Sequence, residues 1–292
     1  MSKLHYYFDE SGEKGFLREG FAMSDLGLIA GIALPERVVP QFERGIGGIL
    51  GKCTNMNEIS KVHAVELFKD GANQDVKEEV LSFLCAAEEW LLIYEAVYPL
   101  GLYRYEQALL DSIAERAPRG PGVKVSGNKA KIRVYTVLLE GVIIKLDEVC
   151  AKEQSPELLM ISDRLDARIH KEALSALGYL KEAIHVKKKS GFDAVTREVV
   201  HGNVTSEIAG LDIAVKYVKE IVTEDAVSVM TVAADIVANT LYRHLIRAVE
   251  ASPGVPLHSD SVMAGFPLKG KAQFVGDYVV DRMYSPIVPP AS

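Results

Sequence analysis

Only three cysteines occur in 292 residues, and Cys53, Cys85 and Cys150 stand far apart. Their spacing and odd number exclude a disulfide framework and a paired-cysteine zinc site, and fit reduced, mostly buried thiols in a cytoplasmic protein. Long apolar runs are missing too. None reaches the roughly 18 residues needed to cross a bilayer, and the best stretch, Trp90 to Leu102, is interrupted by Glu95 and Pro99. A membrane partner is therefore not expected. Basic residues are in deficit: 33 Lys and Arg stand against 40 Asp and Glu, a net charge of −7. That speaks against a broad surface built on phosphate contacts. It leaves room for a small site in which bound cations offset a carboxylate cluster. Met1-Ser2-Lys3 runs straight into apolar residues, so no secretory leader is expected. There is no internal repeat and no low-complexity linker. With 48% hydrophobic and 25% charged residues the composition is that of an ordinary folded protein.

What is present is an alternation of strand and helix patterns. Leu4–Phe8 reads as a first strand and Leu26–Leu34 as a second. Trp90–Tyr98, rich in aromatic and branched residues, reads as a third, Leu158–Ser162 as a fourth and Ile208–Val218 as a fifth. Helical spacing marks Pro35 to Leu50, Glu58–Lys69, Asp75–Glu89, Tyr103–Arg116, Lys131–Lys152, Ala167–Ala183 with Asp166 as N-cap, and Asp225–Val249. Interleaving of this kind predicts an α/β fold with a mixed sheet of about five strands flanked by helices. A single domain over residues 1–250 is expected, with a helical insertion at about 99–152. A Pro- and Gly-rich extension, 251–292, is expected to pack on it.

The acids at the ends of these elements are the candidate chemistry. Leu4-His5-Tyr6-Tyr7-Phe8 drives directly into Asp9-Glu10-Ser11-Gly12. Two readings are open: the acids end the strand and Ser11-Gly12 shapes a turn, or Asp9 is a rigid carboxylate suited to a metal or to acid/base work. Alternation points Glu10 to the face opposite Asp9. Asp163 repeats the pattern at the end of Leu158–Ser162, with the same two readings. Asp235 lies in mid-helix, where Ser228, Thr231, Asp235, Asn239 and Tyr242 form one narrow polar stripe between apolar flanks. The stripe faces either solvent or a buried site, and a buried Asp is costly unless it is paired or binds a metal. His63, Glu66 and Asp70 share a helical face, so that His63 and Glu66 are further ligand candidates.

The opening YYFDESG, the HAVEL segment, the strand ending at Asp163 and the late Ala-Asp helix together resemble the widespread microbial "DUF thirty-eight hundred" family, assigned to the RNase H-like superfamily. The resemblance spans about residues 4–245. It implies an RNase H-like fold and two-metal phosphodiester hydrolysis. Asp9 on the central strand would be the first metal ligand, Asp163 the acid of the fourth strand, Asp235 that of the last helix, and Glu66 the helical acid with His63 beside it. In RNase H the helical Glu follows three hairpin strands, whereas His63 and Glu66 precede the third strand here. Two ions about 4 Å apart would be bridged by Asp9, and oxygen ligands select Mg²⁺ or Mn²⁺.

A nucleic-acid partner needs cations. Lys124, Lys129, Lys131 and Arg133 crowd a Gly/Pro loop, and Lys187, Lys188 and Lys189 form a second cluster. Each group either grips a phosphate backbone or lies on a solvated loop. Apolar surface on the 99–152 segment is compatible with a homodimer. The competing functional class is a non-catalytic RNase H-like module that binds nucleic acid or protein, within a defence or mobile-element system.

Overall fold

The computed structural model describes residues 3–53, 64–68, 71–116, 132–163, 165–182, 184–193, 196–207, 214–224 and 228–273. Its centre is a five-stranded mixed sheet. Strands β1 (Leu4–Gly12), β2 (Gly27–Pro35) and β3 (Leu91–Val97) form an antiparallel meander. Strands β4 (Leu158–Ser162) and β7 (Val218–Thr223) add in parallel on the other side of β1, giving the order β3-β2-β1-β4-β7. β1 is thus the central strand. A separate hairpin of β5 (Ile184–Asp193) and β6 (Glu198–Glu207) makes a two-stranded sheet. The expected mixed sheet flanked by helices is present.

Helices cover both faces, which is why the middle strands are apolar on both sides. β2 is buried from Gly27 to Leu34. On β1, Tyr7 packs on one face with α1 (Val39–Leu50), α3 (Gln74–Ala86) and α7 (Val229–Ala251). Tyr6 and Phe8 pack on the other, with α5 (Val134–Lys152) and α6 (Ala167–Lys181). The period-2 alternation of a strand produces this split directly. Between β3 and β4 lie α4 (Pro99–Arg116) and α5. Nine residues of α5 are buried, so that part of the 99–152 segment is a layer of the domain itself. A one-turn helix, α2 (Ala64–Leu67), precedes α3, and a second, α8 (Ser259–Val262), follows α7. Val262, Met263, Phe266 and Leu268 of the extension are buried in the α7-side core, and Ala272 bridges to Leu92 beside β3.

Three boundaries depart from expectation. β1 does not end at Phe8 but stays paired with β2 through Gly12, so Ser11 is in the strand and the turn begins at Gly12. The fifth strand is Val218–Thr223 rather than Ile208–Val218. Residues 208–213 lie outside the described part, and 214–217 are not strand. The β5–β6 hairpin was not expected, because the lysine run 187–189 hides its alternation. Asp166 does cap α6, accepting from the Arg168 amide at 2.8 Å.

The start of β7 is fixed by a side chain. The Asp147 carboxylate on α5 accepts from the amides of Lys216 and Tyr217 at 2.9 and 2.7 Å, and from Val218 at 3.4 Å. A carboxylate facing consecutive N–H groups makes charge-assisted bonds. Replacing Asp147 by Ala should therefore lower stability in urea titration by about 2 kcal/mol, with Asp147→Asn falling in between. Equal midpoints for all three proteins would show that the contact contributes nothing.

Candidate active site

The parallel register sets three acids at the same end of the sheet. Tyr7, Ile161 and Val222 are side-by-side positions on β1, β4 and β7, and all three face the α7 side. Two residues further on stand Asp9, still within β1, and Asp163 and Glu224, each the first residue past the end of its strand. Alternation along β1 gives Asp9 the α7 face as well. Glu224 follows the last residue of β7, and its amide donates to the Ser162 carbonyl at 3.0 Å. One of its carboxylate oxygens is buried without a hydrogen-bond partner. The rule that singles out Asp9 and Asp163, an apolar strand running into an acid, also applies to Ile221-Val222-Thr223-Glu224. It missed Glu224 only because the fifth strand was placed too early.

The fourth wall is α7. Ser228 and Thr231 form its capping box: the Thr231 amide donates to Ser228 Oγ at 3.2 Å, and the Ser228 amide to Thr231 Oγ1 at 3.0 Å. The rest of the polar stripe turns inward. Asp235, Asn239 and Tyr242 line a cleft of about 470 Å³ together with Asp9, Glu10, Ser11, Gly12 and Glu66. The stripe therefore caps the helix at one end and faces a pocket along the rest. Around it Met230 to Ala238 are all buried, which fixes the rotation of the helix against the sheet.

Asp9 and Asp235 meet in this cleft, with their carboxyls within hydrogen-bonding reach of each other. Asp9 is held well above the usual carboxylate range. Burial is the main cause, followed by the charges of Glu10 and Asp235 and the bond to Asp235; a backbone hydrogen bond at Glu10 pulls weakly the other way. Glu10 has its own counter-ion, since Lys14 Nζ donates to it at 2.6 Å. Its charge, and after it that of Asp9, also raises the buried Tyr135 phenol on α5, after burial itself.

Gly12 closes the cleft. Its φ of +77° is left-handed, and a Cβ there would meet the Leu26 carbonyl oxygen and the Tyr242 ring. Only glycine fits both the backbone and the wall.

Of the sequence-predicted residues, Asp9, Asp235 and Glu66 line one cleft, and Asp163 follows the end of the neighbouring strand β4 without lining it. Glu66 is exposed, on α2. His63 lies outside the described residues, as do Lys124, Lys129 and Lys131. Lys187, Lys188 and Lys189 are on β5, opposite Val204, Asn203 and Gly202. Arg133 directly precedes α5. Among the described residues no group of three or more His, Cys, Asp or Glu side chains is arranged to hold a metal ion, and no helix is long and apolar enough to cross a membrane. Compared with protein-family models and with curated proteins, the chain matches none.

Proposed function

We propose that the cleft at the C-terminal end of β1 hydrolyses phosphodiester bonds of nucleic acid with the help of Mg²⁺ or Mn²⁺. The observation that carries this reading is the Asp9–Asp235 pair: two buried carboxyls face each other in a cleft open to a ligand. Like charges at close range raise a carboxyl pKa, and a divalent cation would relieve the same repulsion without a proton. The donor set fits a hard cation, since it is all oxygen. Asp9 and Asp235 would hold it, with Glu10 and Glu66 as the other acids lining the cleft and Asp163 at the end of the neighbouring strand. Strand order supports the reading too. The resemblance to RNase H-like proteins asks for acids on a central first strand, at the end of the fourth strand and on the last long helix. Asp9, Asp163 and Asp235 stand in those positions.

When bound, the metal supplies Lewis-acid stabilisation of charge on the reacting phosphate. The remaining work falls to the chain. Asp9 on the central strand and Asp235 on a buried helix set the position of the cation against a rigid frame. Asn239 and Tyr242, one and two turns further along α7, offer donors to phosphate oxygens entering the cleft. Gly12 keeps that entry free of a side chain.

The test is direct. Purified protein is incubated with single- and double-stranded RNA, DNA and a hybrid, each with Mg²⁺ or Mn²⁺, while calorimetry follows Mn²⁺ binding. Cleavage that requires the ion is the expected result. A protein that cleaves none of these and binds neither ion overturns the proposal, and one that binds strands without cutting them is the binding module instead.

A further inference from the structure

At the same end of the sheet, on the α5–α6 side, lies a second constellation. After Gly12 the chain returns along the start of α5: the Leu17 amide donates to the Ile132 carbonyl, the Val134 amide to the Gly15 carbonyl, both at 2.9 Å, and Phe16 bridges to Arg133. This strap puts the Phe16 ring between two cations. The Arg133 guanidinium lies 4.3 Å from the ring centroid and that of Arg168, on the first turn of α6, lies 5.5 Å from it. Both arginines also reach the same carboxylate. Arg133 Nε is 2.7 Å from Glu172 and Arg168 Nε 3.3 Å from it.

Two guanidinium groups therefore share one anion and one aromatic ring. Arg133, only 14% exposed, lies beside Glu172 as an ion pair, but neither its Nε nor Glu172 Oε2 makes a hydrogen bond; Arg168 Nε is the donor to Glu172, through Oε1. The Arg168 side chain is 68% exposed, yet its guanidinium is held over the Phe16 ring and against Glu172 rather than free in water. The ring and the Nε bond hold the guanidinium and leave its terminal N–H groups for a ligand. The ligand chemistry that matches a fixed fork of N–H donors is a phosphate. Position agrees. Phe16 is four residues beyond Gly12 and Arg168 five beyond Asp163, which keeps Arg168 within about 18 Å of Asp163 even for fully extended chain. In a protein of net charge −7, phosphates approaching an acidic cleft need such a foothold.

We propose that Arg168, held by Phe16 and Glu172 beside Arg133, binds a backbone phosphate of the nucleic-acid strand whose neighbouring phosphodiester enters the Asp9–Asp235 cleft. The identity of the strand rests on the function proposed above; the binding itself is testable without it. Full-length protein is titrated against fluorescently labelled single-stranded RNA and DNA oligonucleotides in EDTA, by anisotropy, over a range of salt. Arg168→Ala should weaken binding about tenfold and make the salt dependence shallower by about 0.7 in the log–log slope. Arg168→Lys should keep the slope and recover part of the affinity, and Phe16→Ala should lose part of it. Arg37→Ala is the control: that arginine is paired with Glu89 at the opposite end of the sheet and its loss should change nothing. Unchanged affinity and slope in Arg168→Ala overturn the proposal, as does an equal loss in Arg37→Ala or no binding by the wild type at low salt. Binding with this Arg168 dependence in a protein that never hydrolyses the strand would remove the nuclease reading and leave the fork standing.

Discussion

Replacing Asp9 or Asp235 by Asn should abolish divalent-ion-dependent cleavage while leaving the fold intact. Cation stabilisation of a reacting phosphate is worth several kcal/mol, so the loss should reach about 10³-fold or more in kcat. The fold should survive for a reason particular to this site. Asp9 is already held toward its protonated form beside Asp235, so a neutral amide of the same shape in this pair costs little and removes a like charge. Thermal melts of both variants without metal should match or exceed that of the wild type. Mn²⁺ titrations should show binding weakened in parallel with the loss of cleavage. A variant that cleaves at the wild-type rate would place the chemistry elsewhere. Asp235→Leu should not behave this way, because it would bring an uncompensated shape change into a packed wall.

The second large effect is a pH dependence of opposite sign to that of a salt-bridged carboxylate. Asp9 has its folded pKa raised above the ordinary value of 3.8. The folded chain therefore holds a proton that the unfolded chain has given up. That contribution to stability is complete below about pH 4 and is lost as pH rises through the raised value, at up to about 1.4 kcal/mol per pH unit. Glu140 on α5, pushed by burial to about 7, acts in the same direction between its ordinary 4.5 and that value. The clean measurement is thus the stability of Asp9→Asn minus that of the wild type, in which Glu140 cancels. This difference should grow as pH rises from 4 in EDTA, and shrink again when Mg²⁺ or Mn²⁺ is added to the wild type. A difference that stays flat with pH would mean that Asp9 is ionised in the folded protein throughout.

Much of this was legible in the sequence where local pattern and global position agree. Leu158–Ser162 is a strand at the residues expected, and Asp9 and Asp163 stand out because an apolar run carries each into the open end of the sheet. The stripe on α7 was legible as well, since a helix that is apolar over most of its circumference has few reasons to carry an acid at its centre. The failures have physical causes. Leu211-Asp212-Ile213 drew the fifth strand too early, because the true strand, Val218–Thr223, alternates apolar residues with Lys219 and Glu220 and starts where Asp147 gathers its amides. That shift hid Glu224. The Arg133–Phe16–Arg168 arrangement was out of reach, because cation and ring are brought together by a strap pairing residues over a hundred positions apart.

The burial of α7 has a consequence for how the cleft behaves in time. Met230 to Ala238 are all enclosed, and the helix packs on β1 and β2 at the heart of the sheet. Asp235 accordingly belongs to the most cooperative unit of the protein, whose amides exchange with solvent only when the whole domain opens. Across the cleft, Glu66 rides on a single turn, α2, far below the length at which a helix sustains itself. One side of the cleft is thus an anvil with the lifetime of the native state, while the other is anchored, among the described residues, by the buried Leu67 and Phe68 and by Asn73 donating to the Leu67 carbonyl. In the function proposed above, a change in cleft width would fall on the α2 side and leave the pair of carboxyls in place.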